Sequence, residues 1–280
     1  MGTSSSNPGP APNMPLLPTW ADPPPPIPLP GDQSRPLIPT PEDRPRPPIK
    51  PVDDNQRFRE ARSNFTRFVS SGGSDKQSLG RAIGSYVRTA SGGSRTAAKR
   101  MGTSRRAAAK LVGLLAGFQS KGVSETLHSL SLDRLVGQPP KQILLALTDV
   151  VCKPSGTIDE NISRTAFLET MHELITRNIN LNTLTIEQIG VITTQFISRS
   201  IVLSIINNIG MKFDVKAISA EQANKLLKSL NDFVYGVVRD QIQGAIQRVR
   251  NLSEQQLVSS MTRIYTIAFD MLDRQARRLR

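Results

Sequence analysis

Thr185-Ile186-Glu187-Gln188-Ile189-Gly190-Val191-Ile192-Thr193-Thr194-Gln195-Phe196-Ile197-Ser198-Arg199-Ser200-Ile201-Val202-Leu203-Ser204-Ile205-Ile206 is the stretch on which the fold turns. It opens with Thr185 and Gln188, the reciprocal pair in which each side chain satisfies a backbone amide left without a partner in the first helical turn. From Ile189 to Ile206 apolar residues fall on more than one side of the helix, so it needs cover all round and belongs at the centre of a bundle. Its longest apolar candidate, Ile201 to Ile206, is too short to span a bilayer and reads as buried helix.

Outward from this helix the same start signal recurs at Thr157 with Glu160, Ser219 with Gln222 and Ser253 with Gln256. Pro139 and Pro140 suit a further helix start before Ile143, Leu144 and Leu147. Gly156 and Gly210 suit loops or helix ends. Three apolar stripes at helical spacing follow the starts. Phe167, Met171, Leu174 and Ile175 form one, Ala223, Leu226, Leu227, Leu230, Val234 and Val237 the second, and Leu257, Met261, Ile264, Tyr265, Ala268 and Leu272 the third. No segment alternates as a half-buried strand does. The pattern predicts an all-α helical bundle over residues 123–280. The starts at Thr185, Ser219 and Ser253 are evenly spaced, but each interval holds one long helix and not the helix pair of a repeat protein.

Residues 55–122 are a basic, glycine-punctuated helical segment, expected to form one body with the bundle. The loops Ser70-Ser71-Gly72-Gly73-Ser74 and Ala90-Ser91-Gly92-Gly93-Ser94 bracket a helix from Asp75 to Thr89. A second helix is expected from Arg95 or Ser104 to Phe118, with Ala107, Leu111, Leu114, Leu115 and Phe118 inward. The chain's net charge of +13 is uneven, with −2 over residues 1–54, +11 over 55–120 and +4 over 121–280. Arg95, Lys99, Arg100, Arg105, Arg106 and Lys110 crowd into sixteen residues, with Arg105, Arg106 and Lys110 off the apolar stripe. They are the candidate site for a polyanion or an acidic partner, nucleic acid included. Without interleaved aromatics, base stacking is not indicated.

Residues 1–54 hold 18 of the 21 prolines, a density that favours extended polyproline II and excludes regular helix, so a disordered proline-rich tail is expected. At about 3.1 Å per residue such a tether can reach on the order of 100 Å. Removal of Met1 would leave Gly2 as an unhindered amine. Trp20, the single tryptophan, is a candidate docking anchor among the prolines.

Catalytic signals are sparse. His128 and His172 are the two histidines. His172 has Glu169 and Glu173 nearby on its helix, without the paired-histidine spacing of a zinc helix. Neither a nucleophile elbow nor a Walker loop occurs, so no enzyme activity, metal or cofactor is expected. The single cysteine, Cys152, reads as a small core residue. It permits no internal disulfide, which fits a cytoplasmic protein, and no membrane span is expected.

Met1-Gly2-Thr3-Ser4, Pro8-Gly9-Pro10, Pro15-Leu16-Leu17-Pro18-Thr19-Trp20, the Phe- and Arg-rich start near Phe58 and the stretch from Ser91-Gly92-Gly93-Ser94-Arg95 to Met101-Gly102 together resemble the QatB family of the bacterial Qat anti-phage defence system. The resemblance implies three partners: an ATPase, QatA; a QueC-like enzyme, QatC; and a TatD-like nuclease, QatD. It also implies a non-enzymatic subunit whose Gly2 accepts a deazaguanine modification, with Thr3, Ser4 and Trp20 docking the partner. The alternative, a helical nucleic-acid-binding protein acting through residues 95–110, stays open on the residues alone.

Overall fold

The computed structural model describes residues 54–152, 156–210, 219–249 and 252–279, which belong to a unit that begins at Pro51. The expected tail, with Gly2, Thr3, Ser4 and Trp20, lies outside the described residues. Among the described residues the elements are helical and no strand occurs, as the periodicity required.

The chain enters through α1 (Asp54–Arg57) and α2 (Arg59–Ser70), whose Ala61, Phe65, Phe68 and Val69 are buried. The first Gly-Gly loop ends α2. Gly72 and Gly73 take φ of 65° and 86°, and the Gly73 amide closes on the Phe68 carbonyl at 3.0 Å. The helix expected from Asp75 is α3 (Lys76–Ser85), capped by the Asp75 carboxylate on the Ser78 amide at 2.9 Å. Beyond Ser85 the chain continues as a π-helical turn, Tyr86–Ala90.

Of the two starts expected for the second basic helix the later one holds: α5 (Gly102–Lys121) follows a separate short helix, α4 (Ser94–Arg100). Met101 is buried and leaves helical geometry at φ −80°, ψ 31°, so the chain turns there to keep its side chain in the core. The stripe from Ala107 to Phe118 is buried as its spacing requires. Next come α6 (Val123–Ser129), a 3-10 turn at Asp133–Leu135, and α7 (Pro140–Val151), which starts on Pro140.

The long helices carry the core. They are α8 (Ile158–Thr176), α9 (Ile186–Ile209), α10 (Ala220–Val249) and α11 (Glu254–Arg278). The four capping pairs form: Thr157 with Glu160, Thr185 with Gln188 and Ser219 with Gln222 bond reciprocally, and the Ser253 amide donates to Gln256 Oε1 at 3.1 Å. Helix α9 is central, flanked by α5, α8 and α10 and touched by α2. It is long and apolar enough to cross a membrane, but 72% of its most apolar window is covered by the bundle. Ile189, Ile192, Phe196, Ile197, Ile201, Val202, Ile205 and Ile209 are buried. Each contributes about 1.5–3 kcal/mol by transfer from water.

Helix α11 lays its stripe from Leu257 to Leu272 against α3, α4, α5 and α10. On α10 the buried row is Leu230, Val234, Val238, Ile242 and Ile246, so the expected stripe is corrected at both ends: Ala223, Leu226 and Val237 are half-buried. Leu227 is 40% exposed, while Leu226 turns inward towards Gly73.

Candidate functional site: a cationic ledge and a polar cleft

The six basic candidates divide by what their side chains touch. Arg95, Lys99 and Arg100 on α4 and Arg106 on α5 are exposed and form a cationic ledge. Arg105 and Lys110 lie off the apolar stripe and are half-buried, and both bond within the fold. Arg105 donates to Thr262 Oγ1 on α11 and to the Lys99 carbonyl at 3.2 Å, clamping the α4–α5 corner onto α11. Burial, aided by neighbouring Arg106, lowers the pKa of its guanidinium. Lys110 Nζ donates to the Val150 carbonyl at 3.2 Å, where the last turn of α7 carries partial negative charge.

A second site, not singled out from the sequence, is a cleft of about 870 Å³ walled by α8 and α10 and floored by α9. The α8 wall brings Leu168, Glu169, His172, Glu173 and Arg177, at helical spacing along one face. The floor brings Val191, Gln195, Ser198 and Arg199, and the α10 wall Lys228, Asn231, Asp232 and Tyr235.

A polar network lines the cleft. Glu173 is its hub: it accepts from Arg199, from Gln195 Nε2 at 2.7 Å and from Arg177 at 2.5 Å. Arg199, only 19% exposed, also donates to Thr170 Oγ1 at 3.1 Å and lies 3.7 Å from the Glu169 carboxylate. Burial raises the pKa of Glu169 and Arg199 pulls the other way; burial also raises that of the Tyr235 phenol, which feels Glu173 and Arg177 across the cleft. Lys228 is paired with Asp232 at 3.0 Å.

His172 thus shares a wall with Glu169 and Glu173, as its spacing indicated. Among the described residues no group of three or more such side chains could hold a metal. His128 lies elsewhere, paired with Asp133.

A family model described as Qat anti-phage system associated protein QatB matches residues 92–272. The chain belongs to the QatB family. It is therefore a component of the Qat anti-phage defence system. No curated protein and no solved structure matches the chain. In this QatB-family chain the match opens at Gly92, so the ledge from Arg95 to Arg106 and the whole cleft fall inside it. Gly2, Thr3, Ser4 and Trp20 fall before it.

Proposed function

We propose that this chain is a non-enzymatic, cytoplasmic subunit of the Qat system whose helical body docks the other Qat proteins and whose N-terminus is presented to one of them. The observation that carries the reading is the ledge. Arg95, Lys99, Arg100 and Arg106 stand exposed around the α4–α5 corner within the family-matched residues. Charges so placed steer an acidic partner surface and fix its register. The ATPase QatA, the QueC-like QatC and the TatD-like QatD are the proposed partners. Gly2 is the proposed acceptor of a deazaguanine group from QatC, with Thr3, Ser4 and Trp20 as the recognition segment; its support is the accessible amine and the proline-rich tether of the sequence.

The test is co-expression of the full chain with QatA, QatC and QatD, followed by affinity capture and intact mass of the N-terminal peptide. Reversal of Arg95, Lys99, Arg100 and Arg106 to glutamate should release the captured partner, and the N-terminal peptide should carry an added mass only when QatC is present. Undiminished capture by the variant overturns the docking reading, and an unmodified Gly2 in an active system overturns the acceptor reading. The same ledge supports a second reading, contact with nucleic-acid phosphates. A steep fall in nucleic-acid binding with salt that is lost in the variant would favour it.

A further inference from the structure

A groove of about 880 Å³ runs along α5 and is bordered by α6, the end of α7 and the start of α11. Its lining takes residues from each turn of α5 between Ala109 and Lys121, so it follows that helix for about 16 Å, or about three turns. The border is apolar: Leu130, Val150, Val151, Leu252 and Leu257 line it, and Leu130 is 39% exposed. Gly113 on the floor is exposed in mid-helix, where glycine is a poor helix former. A methyl group there would meet Leu257 at an ordinary 3.6 Å, so the fold itself does not require glycine at this position.

Charge decides what suits the groove. Its lining holds two charged side chains, Lys110 and Lys121, and both are cations. They stand eleven residues apart on α5, near the two ends of the floor. Lys110 reaches the Val150 carbonyl at 3.2 Å, which leaves its charge uncompensated by any carboxylate, and Lys121 is exposed without an acidic partner among the described residues. Asp149, next to Val150, is taken by Arg164 at 2.6 Å. A second copy of this chain would bring the same two cations and a net charge of +13, so like charges oppose self-association here. The single carboxylate of an acyl chain would answer one lysine and leave the other. Nucleic acid would find phosphate partners at the two ends and an apolar border between them. An amphipathic helix with an acidic residue at each end of its apolar face answers the border and both lysines together, and it lies along α5 as one helix packs on another. We propose that the α5 groove docks such a helix of a partner protein, its apolar face on Gly113 and Leu130 and its acidic side chains paired with Lys110 and Lys121. The proposal rests on the reading that the helical body docks the other Qat proteins, and adds which element is docked and where.

The experiment uses the full chain with the photo-reactive p-benzoylphenylalanine in place of Ser120, which lines the groove and is exposed, co-expressed with QatA, QatC and QatD and irradiated. Mass spectrometry places the cross-link on a helical segment of one of the three, with acidic residues flanking apolar ones. Gly113→Gln, which fills the floor with a side chain that favours helix, lowers affinity capture of that partner about ten-fold or more and leaves the melting midpoint unchanged or higher. Lys121→Glu lowers capture about three-fold, the scale of an exposed ion pair, and reversing the facing acidic residue of the partner to lysine restores it. A cross-link to a second copy, to nucleic acid, to lipid or to a partner segment without acidic residues overturns the proposal, as does undiminished capture by Gly113→Gln, a lowered melting midpoint in that variant, or failure of the charge swap. Capture lost on reversal of Arg95, Lys99, Arg100 and Arg106 but complete in both groove variants removes the groove and leaves the docking reading standing. No capture by the unaltered chain removes both.

Discussion

Arg105 and Arg106 are adjacent, identical and both off the apolar stripe of α5, yet charge reversal should separate them sharply. Arg105 donates to Thr262 Oγ1 on α11 and to the Lys99 carbonyl at 3.2 Å, and its Nε is buried without a partner. A hydrogen bond from a charged group contributes about 1.5–3 kcal/mol. Glutamate at this position loses both bonds and sets a carboxylate near the Lys99 carbonyl. Partial exposure tempers the loss, so Arg105→Glu should cost about 2–4 kcal/mol. At about 2–4 °C per kcal/mol for a body of this size, the melting midpoint should fall by roughly 4–16 °C. Arg106 is exposed and makes one long contact, to Thr103 Oγ1 at 3.4 Å. Its reversal should stay within about 0.5 kcal/mol. Thermal unfolding followed by circular dichroism at the helical band compares the two directly. Equal midpoints would refute the clamp and return Arg105 to the ledge. The difference bears on binding assays, since a variant set that includes Arg105 confounds lost affinity with lost stability.

Two glycines should respond in opposite senses to alanine. At Gly117 a methyl group would sit 2.9 Å from Thr126 Cγ2, so Gly117→Ala should destabilise by about 1 kcal/mol or more; at Gly236, exposed in mid-α10 with nothing within 4 Å, Gly236→Ala should stabilise by about 0.5–1 kcal/mol in denaturant titration. Burial pushes the Cys152 thiol up to about 12 from an ordinary value near 9.0, so its contribution to stability is full below the unfolded value and is lost as pH rises through the folded one. Melting temperatures between pH 8 and about 11 should fall in the native chain and fall less in Cys152→Ala; identical slopes would remove Cys152 as a cause.

The helices were legible where one signal sufficed. Helix α9 is apolar on several sides because several helices cover it, and its cap pair marks its start within one residue. The stripe of α11 came out whole because one face meets all its neighbours. Legibility failed where two elements had to be known together. Periodicity left the helix start open between Arg95 and Ser104, since apolar residues continue on both sides of Met101, which is buried at the break. Arg105 and Arg106 differ through what Arg105 meets, the Lys99 carbonyl and Thr262, which lies 157 residues away. Leu226 and Leu227 fit one stripe equally well, and the loop at Gly73 selects the first.

The cleft is a harder case, because its walls come from helices far apart in sequence. A trace was present: Gln195, Ser198 and Arg199 lie three and four residues apart in α9, and so share a face. Structural need accounts for two of them. Gln195 and Arg199 join α9 to α8 through Glu173, and truncating either would leave that carboxylate with fewer donors. Ser198 does nothing of the kind. Alanine would fit the same position, favour the helix more and spare the cost of a buried hydroxyl without a partner, about 1–3 kcal/mol. Its buried hydroxyl finds no partner in the fold, so Ser198→Ala should leave the melting midpoint unchanged or raise it.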